Sequence, residues 1–296
     1  MHMMTGATGN AGAIVVREFA RQHVPIRVLA RNPAASPWLR ELPGIEVVTG
    51  DMRVPESLGA ALDGVDKVLM ISSPRDDMVG TQCRFIDAAQ AAGVGHIVKL
   101  SGKESGTTFD PQAFRGTRWH LAIERYLEES GLAWTHLRPS QFMQFYLPGS
   151  LTGVDARRGA LVMPIGDSRL SPVDIEDIAR VAVAMMGADG TAGRAYDMTG
   201  PDALSMAEVA ELITAASGRP YRYEPVTAER KRALHAAEGL GPDVLDLLDE
   251  IYAGRRNSPD SRVDLSAHRA FGVEPTTFAQ FARRHAADFA AVVSAA

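Results

Sequence analysis

One cysteine, Cys83, stands in a chain of 296 residues, which excludes an internal disulfide framework and suits a reducing compartment. We expect it to act as a small buried hydrophobe. No run of about 18 apolar residues occurs, so no membrane-spanning helix is expected. The opening MHMMTGATGN lacks a charged stretch followed by an apolar one, so a secretory signal is not expected either. Excess positive charge is also missing. The net charge is −5 and the pI about 5.9, which offers nothing to a polyanionic partner. The basic clusters ERKR (229–232) and FARRH (281–285) lie in helical contexts near acidic residues and read as solvated helix faces. The eight histidines are scattered, with no H-E-x-x-H pair to hold a metal, and no G-x-S-x-G elbow supports serine hydrolysis. Nothing marks a flavin site. We expect a cytoplasmic protein, monomer or homodimer, that binds neither nucleic acid, membrane nor metal.

What remains is an ordinary globular balance, 46% hydrophobic and 23% charged, long enough for one large domain or a domain with a smaller lobe. Short apolar runs, HMMT, IRVLA, IEVVTG, DKVLMIS, HIVKLS and AWTHLRP, alternate with the helical patterns NAGAIVVREFARQH, PESLGAALDG, MVGTQCRFIDAAQAAG and the segment from Arg115. That alternation argues for βαβ units in a doubly wound parallel sheet. After residue 140 the pattern changes. The short strands ALVMPIG, RAYDMTG and YRYEP are interleaved with helices at PVDIEDIARVAVAMMGA and SMAEVAELITAASG, a long helical region at 227–253, and a final helix near EPTTFAQFARRHAADFAAVV. We expect a dinucleotide-binding domain over 1–150 and, over 151–296, mainly a smaller α/β lobe whose chain partly returns to the main sheet.

TGATGNAG (Thr5 to Gly12) follows the first short strand and opens the first helix. Gly6, Gly9 and Gly12 serve a tight turn, close approach of the backbone to a pyrophosphate, and close helix–strand packing. The helix N-terminus then faces the anion, with Thr8, Asn10 and Ala11 beside it. The second strand ends VLARNP. An NAD site would carry an acidic residue near that tip, whereas Arg31 and Asn32 stand here. A guanidinium can pair with a 2′-phosphate, so NADPH is expected over NADH. Topology puts Asp51 and Met52 at the adenine edge, and Ile71, Ser72 and Ser73, within the run ending at Pro74, on the nicotinamide side.

These residues resemble the NmrA-like family, an atypical branch of the short-chain dehydrogenase/reductase superfamily. The likeness spans nearly the whole chain. It rests on TGATGNAG, RVLARNP, VVTGDMRVPESLGAALDGVDKVLMISSP, GVGHIVKLSG, SPVDIEDIARVAVAMM and, most specifically, HLAIERYLEESGLAWTHLRPSQFMQ. It implies a Rossmann domain with a smaller C-terminal substrate lobe. The family includes quinone reductases, reductases of cationic dyes and imines, enzymes tailoring aromatic polyketides, and redox sensors without turnover.

The superfamily's helix usually carries Tyr-x-x-x-Lys, the proton donor and its partner. Here the register gives Gly116 and His120, and no tyrosine precedes Tyr126. Ketone reduction through that dyad is therefore not expected. His120, at the lysine place, can hold the ribose or relay a proton, or can be a helix histidine satisfied by a neighbour. The resemblance places Ser101 where the superfamily has its serine. Glu124 either orients His120 or makes a structural hydrogen bond. Lys103 either offers a cation to substrate oxygens or is a solvated loop residue. Phe114, Trp119, Phe142, Met143, Phe145 and Tyr146 suit a flat aromatic ligand, or form core between the lobes. Two hypotheses follow. One is an NADPH-dependent reductase of quinone-like aromatics, with a flavin-free, oxygen-coupled hydroxylation of an aromatic polyketide as its variant. The other is a non-catalytic NADP(H) sensor.

Overall fold

The computed structural model describes residues 1–73, 77–108, 110–258 and 260–291. Pro74 and the last residues of the expected final helix lie outside that range. Strand β1 (His2–Met4) runs into the glycine loop and helix α1 (Asn10–Arg21). There follow β2 (Ile26–Ala30), β3 (Ile45–Thr49), α2 (Gly59–Leu62), β4 (Lys67–Met70), α3 (Met78–Ala91), β5 (His96–Leu100), α4 (Arg115–Glu129) and β6 (Ala133–Pro139). The second half supplies β7 (Ala160–Met163), β8 (Arg169–Leu170), α5 (Ile175–Gly187), β9 (Arg194–Met198), β10 (Leu204–Ser205), α6 (Met206–Ser217) and β11 (Arg222–Pro225). It ends with α7 (Ala228–Ala237), α8 (Pro242–Arg256), α9 (Ser266–Ala270), α10 (Phe278–Arg284) and α11 (Ala286–Ala290).

The main sheet has the order β3-β2-β1-β4-β5-β6-β9, with every neighbouring pair parallel. This is a Rossmann-type doubly wound α/β fold. Strand side chains alternate between the two faces. Val28, Leu69, Val98 and Leu137 join α1 and α5 in one core, while Val68, Ile97, Phe85 and Ile123 join α3 and α4 on the other. Because Ile97 points to the α3/α4 side, Lys99 and Ser101 point there too. The order of chain and sheet reverses between β1 and β4, the place where such folds bind their ligands.

The remaining strands form two small pairs, β7 with β11 in parallel and β8 with β10 antiparallel. They pack with α6, α8, α10 and α11 around Tyr146, Leu161, Ile213, Leu248, Phe278 and Phe289. Helix α6 begins with a Ser205–Glu208 capping box and ends at Gly218, whose φ of 69° only glycine adopts cheaply. The helical region expected at 227–253 is two helices, broken at Gly239 (φ 86°) and restarted by Pro242. The expected final helix divides at His285. PESLGAALDG forms one 3-10 turn and a single α-helical turn, too short to be the full helix its pattern suggested.

Candidate active site

The glycine loop is built by backbone contacts. Gly6 has φ 69°, and a side chain there would meet the Ile71 carbonyl oxygen at 2.5 Å. A side chain on Gly12 would meet the Gly6 oxygen at 2.0 Å. Gly9 differs, since its nearest neighbour would lie at 3.4 Å and its φ is −82°. The fold therefore demands glycine at 6 and 12, whereas at 9 the space opens outward. Helix α1 starts at this point with no side-chain cap and no acidic residue in its first turn, leaving its first amides and the positive end of the helix dipole for an anion. Thr8 and Asn10 are exposed at the rim and Ala11 is half-buried. Thr5, which sequence reading passed over as a strand end, fixes the loop. Its buried Oγ1 donates to the Ile71 carbonyl at 2.7 Å and accepts from the Ile71 amide at 2.9 Å.

Arg31 and Asn32 are exposed at the tip of β2. Asp51 is engaged by Arg53, whose hydrogen bonds hold its carboxyl below the usual range, and its amide donates to Ser57 Oγ at 2.9 Å. Met52 is buried in the α3/α4 core. Ile71 is buried, Ser73 is exposed, and Ser72 Oγ accepts from Gln82 Nε2 at 2.7 Å.

A line of ionisable side chains lies under α4. His120, Glu124 and Glu128 recur every fourth residue and so share one helix face. They meet alternate residues of β5 and β6. Lys99 Nζ lies 2.7 Å from His120 Nδ1, and Arg138 makes two bonds to Glu124, at 3.0 and 2.6 Å. His136 Nε2 lies 3.0 Å from Glu128 Oε1. Lys99 has no exposed surface, and its Nζ also donates to Ser101 Oγ at 3.1 Å. Burial, opposed by Glu124 and assisted by Arg138, brings the Lys99 ammonium down to about 7. Burial and the neighbouring Lys99 hold His120 well below its ordinary value. Burial opposes the charge of Glu124, but Arg138, His136 and Ser101 outweigh it and keep the carboxyl below its usual range. Glu124 thus serves Arg138 and does not orient His120.

The place of the missing tyrosine is filled. A side chain on Gly116 would run into the Phe114 ring at 2.6 Å. Lys103 is tied to Asp197 of β9 at 2.8 Å, so it bridges the loop to the sheet. Phe142 and Phe145 lie together with ring centres 5.3 Å apart, and Phe145 is exposed. Met143 and Tyr146 are buried in the smaller core, where the Tyr146 hydroxyl accepts from Gln141 at 2.6 Å. Trp119 packs against the α3/α4 core. Of the six aromatic-site candidates, Met143 and Tyr146 are buried in the smaller core, Trp119 and Phe142 are each half-buried against a sheet core, Phe114 is half-buried beside Gly116, and Phe145 is exposed.

Two further expectations change, at Cys83 and Lys231, while Arg232 and Arg284 keep the part exposure and acidic partners expected of solvated helix faces. Cys83 is only partly buried. Lys231 of the ERKR cluster is buried, and Arg232 pairs with Asp246 and Asp249. Arg284 of the FARRH cluster pairs with Asp174 and Glu176. Among the described residues, no helix is long and apolar enough to cross a membrane.

A family model described as NAD(P)H-binding matches residues 6–189, more than half of the chain. The NAD(P)H azoreductase of Xenophilus azovorans is 36% identical over 291 residues, covering 98% of this chain and 100% of that protein. The crystal structure of an NADPH-dependent quinone oxidoreductase from Escherichia coli, complexed with NADPH, is 26% identical with a TM-score of 0.84, covering 96% of this chain and 99% of that one. The triphenylmethane reductase of Citrobacter sp., complexed with NADP(H), shares the fold at a TM-score of 0.84 and 24% identity, covering 97% of this chain and 100% of that one.

Proposed function

Since the chain belongs to the NAD(P)H-binding family, in its NmrA-like, atypical short-chain reductase branch, we propose that it passes hydride directly from NADPH to a quinone-like or other electron-poor aromatic acceptor. It is an NAD(P)H-dependent reductase of the azoreductase and quinone-reductase type. The observation that carries the finer reading is the Phe114 ring over Gly116, with His120 one turn on. No phenol stands where a ketone oxygen would need one. A quinone accepts hydride because the product is aromatic, so it needs a modest proton source and no strong acid. Phe114, Phe142 and Phe145 supply apolar ring faces for a flat ligand. Arg31, exposed at the β2 tip, supports NADPH over NADH through a charged contact to the 2′-phosphate.

The test is NADPH oxidation by the purified protein with 1,4-naphthoquinone, with an azo dye, and with no acceptor, while dissolved oxygen is recorded. Quinone- or dye-dependent oxidation without added flavin is expected. Oxygen uptake that tracks hydroxylated product would identify the oxygen-coupled variant on an aromatic polyketide. NADPH binding without oxidation above background would overturn the reading and leave a cofactor sensor.

A further inference from the structure

Lys99 is the most expensive residue in the seam. It is fully buried on β5, and no carboxylate is free to neutralise it. The groups facing it are Ser101 on its own strand side, His120 and Glu124 on α4, and Arg138 and His136 on β6. Glu124 is occupied at both oxygens by Arg138. The ammonium is left with a hydroxyl and an imidazole nitrogen as partners. An apolar residue at this position would fold more cheaply, because a buried charge without its own counter-ion carries its desolvation penalty.

The geometry also fixes the imidazole. An ammonium only donates, so His120 Nδ1 accepts at 2.7 Å and the neutral ring keeps its proton on Nε2. That nitrogen faces the loop leaving the carboxyl end of β5. It would lie 2.9 Å from a side chain on Gly102, and the ring occupies the space that this glycine leaves empty.

We propose that Lys99 is a positioning residue that sets the tautomer of His120 and resupplies its proton, making Lys99–His120 a two-step relay in place of the tyrosine. The inference rests on the reductase reading above. Hydride from NADPH converts a quinone to the hydroquinone monoanion and leaves NADP⁺. The monoanion takes the proton of His120 Nε2, and Nδ1 takes one from the Lys99 ammonium. The ring ends neutral as the other tautomer, Lys99 ends as the amine, and water restores the proton after product leaves. An ammonium held near neutrality is suited to that exchange.

The experiment compares two acceptors in wild type and Lys99→Met. 1,4-Naphthoquinone needs a proton after hydride, while a triarylmethyl cation dye needs hydride alone. The expected result is a fall of about a hundredfold in kcat/KM for the quinone. The inflection near pH 7 in the wild-type quinone profile should vanish in the variant. Dye reduction and NADPH affinity should stay within about threefold, since hydride transfer itself is untouched. Gly102→Ala, which crowds the His120 ring while keeping Lys99, should show the same selective loss and serves if Lys99→Met folds poorly. Equal losses with both acceptors, or an unchanged quinone pH profile in a folded variant, would overturn the relay while leaving the reductase reading intact. A wild type that reduces neither acceptor would overturn both.

Discussion

The glycine loop after β1 and the polar seam beneath α4 both reach the carboxyl edge of one sheet, but they are made of different material. The loop uses backbone and a single side chain: glycines packed against carbonyl oxygens, a bare helix N-terminus, and one threonine hydroxyl locking it to Ile71 just past β4. The seam uses ionisable side chains, Lys99, Arg138 and His136 against His120, Glu124 and Glu128. A pyrophosphate has the same charge in every nucleotide, and fixed amides suit it. A reaction that moves a proton needs groups whose charge can change, and those must be side chains held at shifted pKa values. The first region is fixed by residue type, whereas in the second Arg138 has its counter-ion in Glu124 and Lys99 has none of its own.

The largest effects should come from breaking the loop. Gly12→Ala forces a methyl to 2.0 Å from the Gly6 oxygen. Such overpacking costs about 1–3 kcal/mol or more, and NADPH binding should be lost with it. Gly9→Val should separate fold from function: its melting temperature should stay near wild type while NADPH affinity falls by at least about a hundredfold, the equivalent of about 2.7 kcal/mol. A Gly9→Val protein that still binds NADPH would mean the loop is only a turn. Thermal melts and cofactor titration of the two variants decide the matter.

Breaking the seam should cost less. His120→Ala is expected to lower quinone turnover by about ten- to a thousandfold with NADPH binding little changed, the span for losing a positioned proton-transfer group. Gly116→Tyr should not raise that turnover, because a Cβ at 116 already meets the Phe114 ring.

How legible each region is in the sequence follows from the same contrast. The loop is written in residue type: only glycine satisfies φ 69° at Gly6 or the approach at Gly12, so the spacing alone announces it. The alternating sheet and helices were legible too, because strands buried on both faces survive as short apolar runs and helices keep an apolar period of 3.6 residues. The seam was not, since its pairs join residues 21, 14 and 8 apart, and only the fold brings them together. Its trace was nevertheless present as polar residues at every fourth position of an amphipathic helix, facing Lys99, His136 and Arg138 at alternate positions in otherwise apolar strands. Tyr146, Met143 and Trp119 misled for a simpler reason. An aromatic or methionine side chain near a site has the same composition whether it touches ligand or core.

On the far side of the glycine loop from the seam lies Arg31, exposed at the tip of β2. Arg31→Ala should weaken NADPH by about ten- to a hundredfold, the worth of one charge-assisted contact, and leave NADH nearly unchanged. Equal weakening of both cofactors would remove the 2′-phosphate assignment.

The last effect concerns stability against pH. Lys99 titrates near 7 when folded and has an ordinary value of 10.5. Between those limits the unfolded chain binds more protons, so the stability tied to this amine is present above about 10.5 and is lost as pH falls through about 7. Lys99→Met should therefore gain most over wild type below pH 7, with the gap narrowing as pH rises. The glycine loop holds no titratable group, so melts of Gly9→Val should track wild type at every pH. Melting temperatures from pH 6 to about 10 test the sign.

The most direct measurement uses NADPH carrying deuterium at the transferred position, mixed anaerobically with 1,4-naphthoquinone and flavin-free protein. The expected result is a primary isotope effect on quinone-dependent oxidation, with one hydroquinone formed for each NADP⁺ and no third redox centre. NADPH that binds but is not consumed, or is consumed only when flavin is added, would contradict direct hydride transfer.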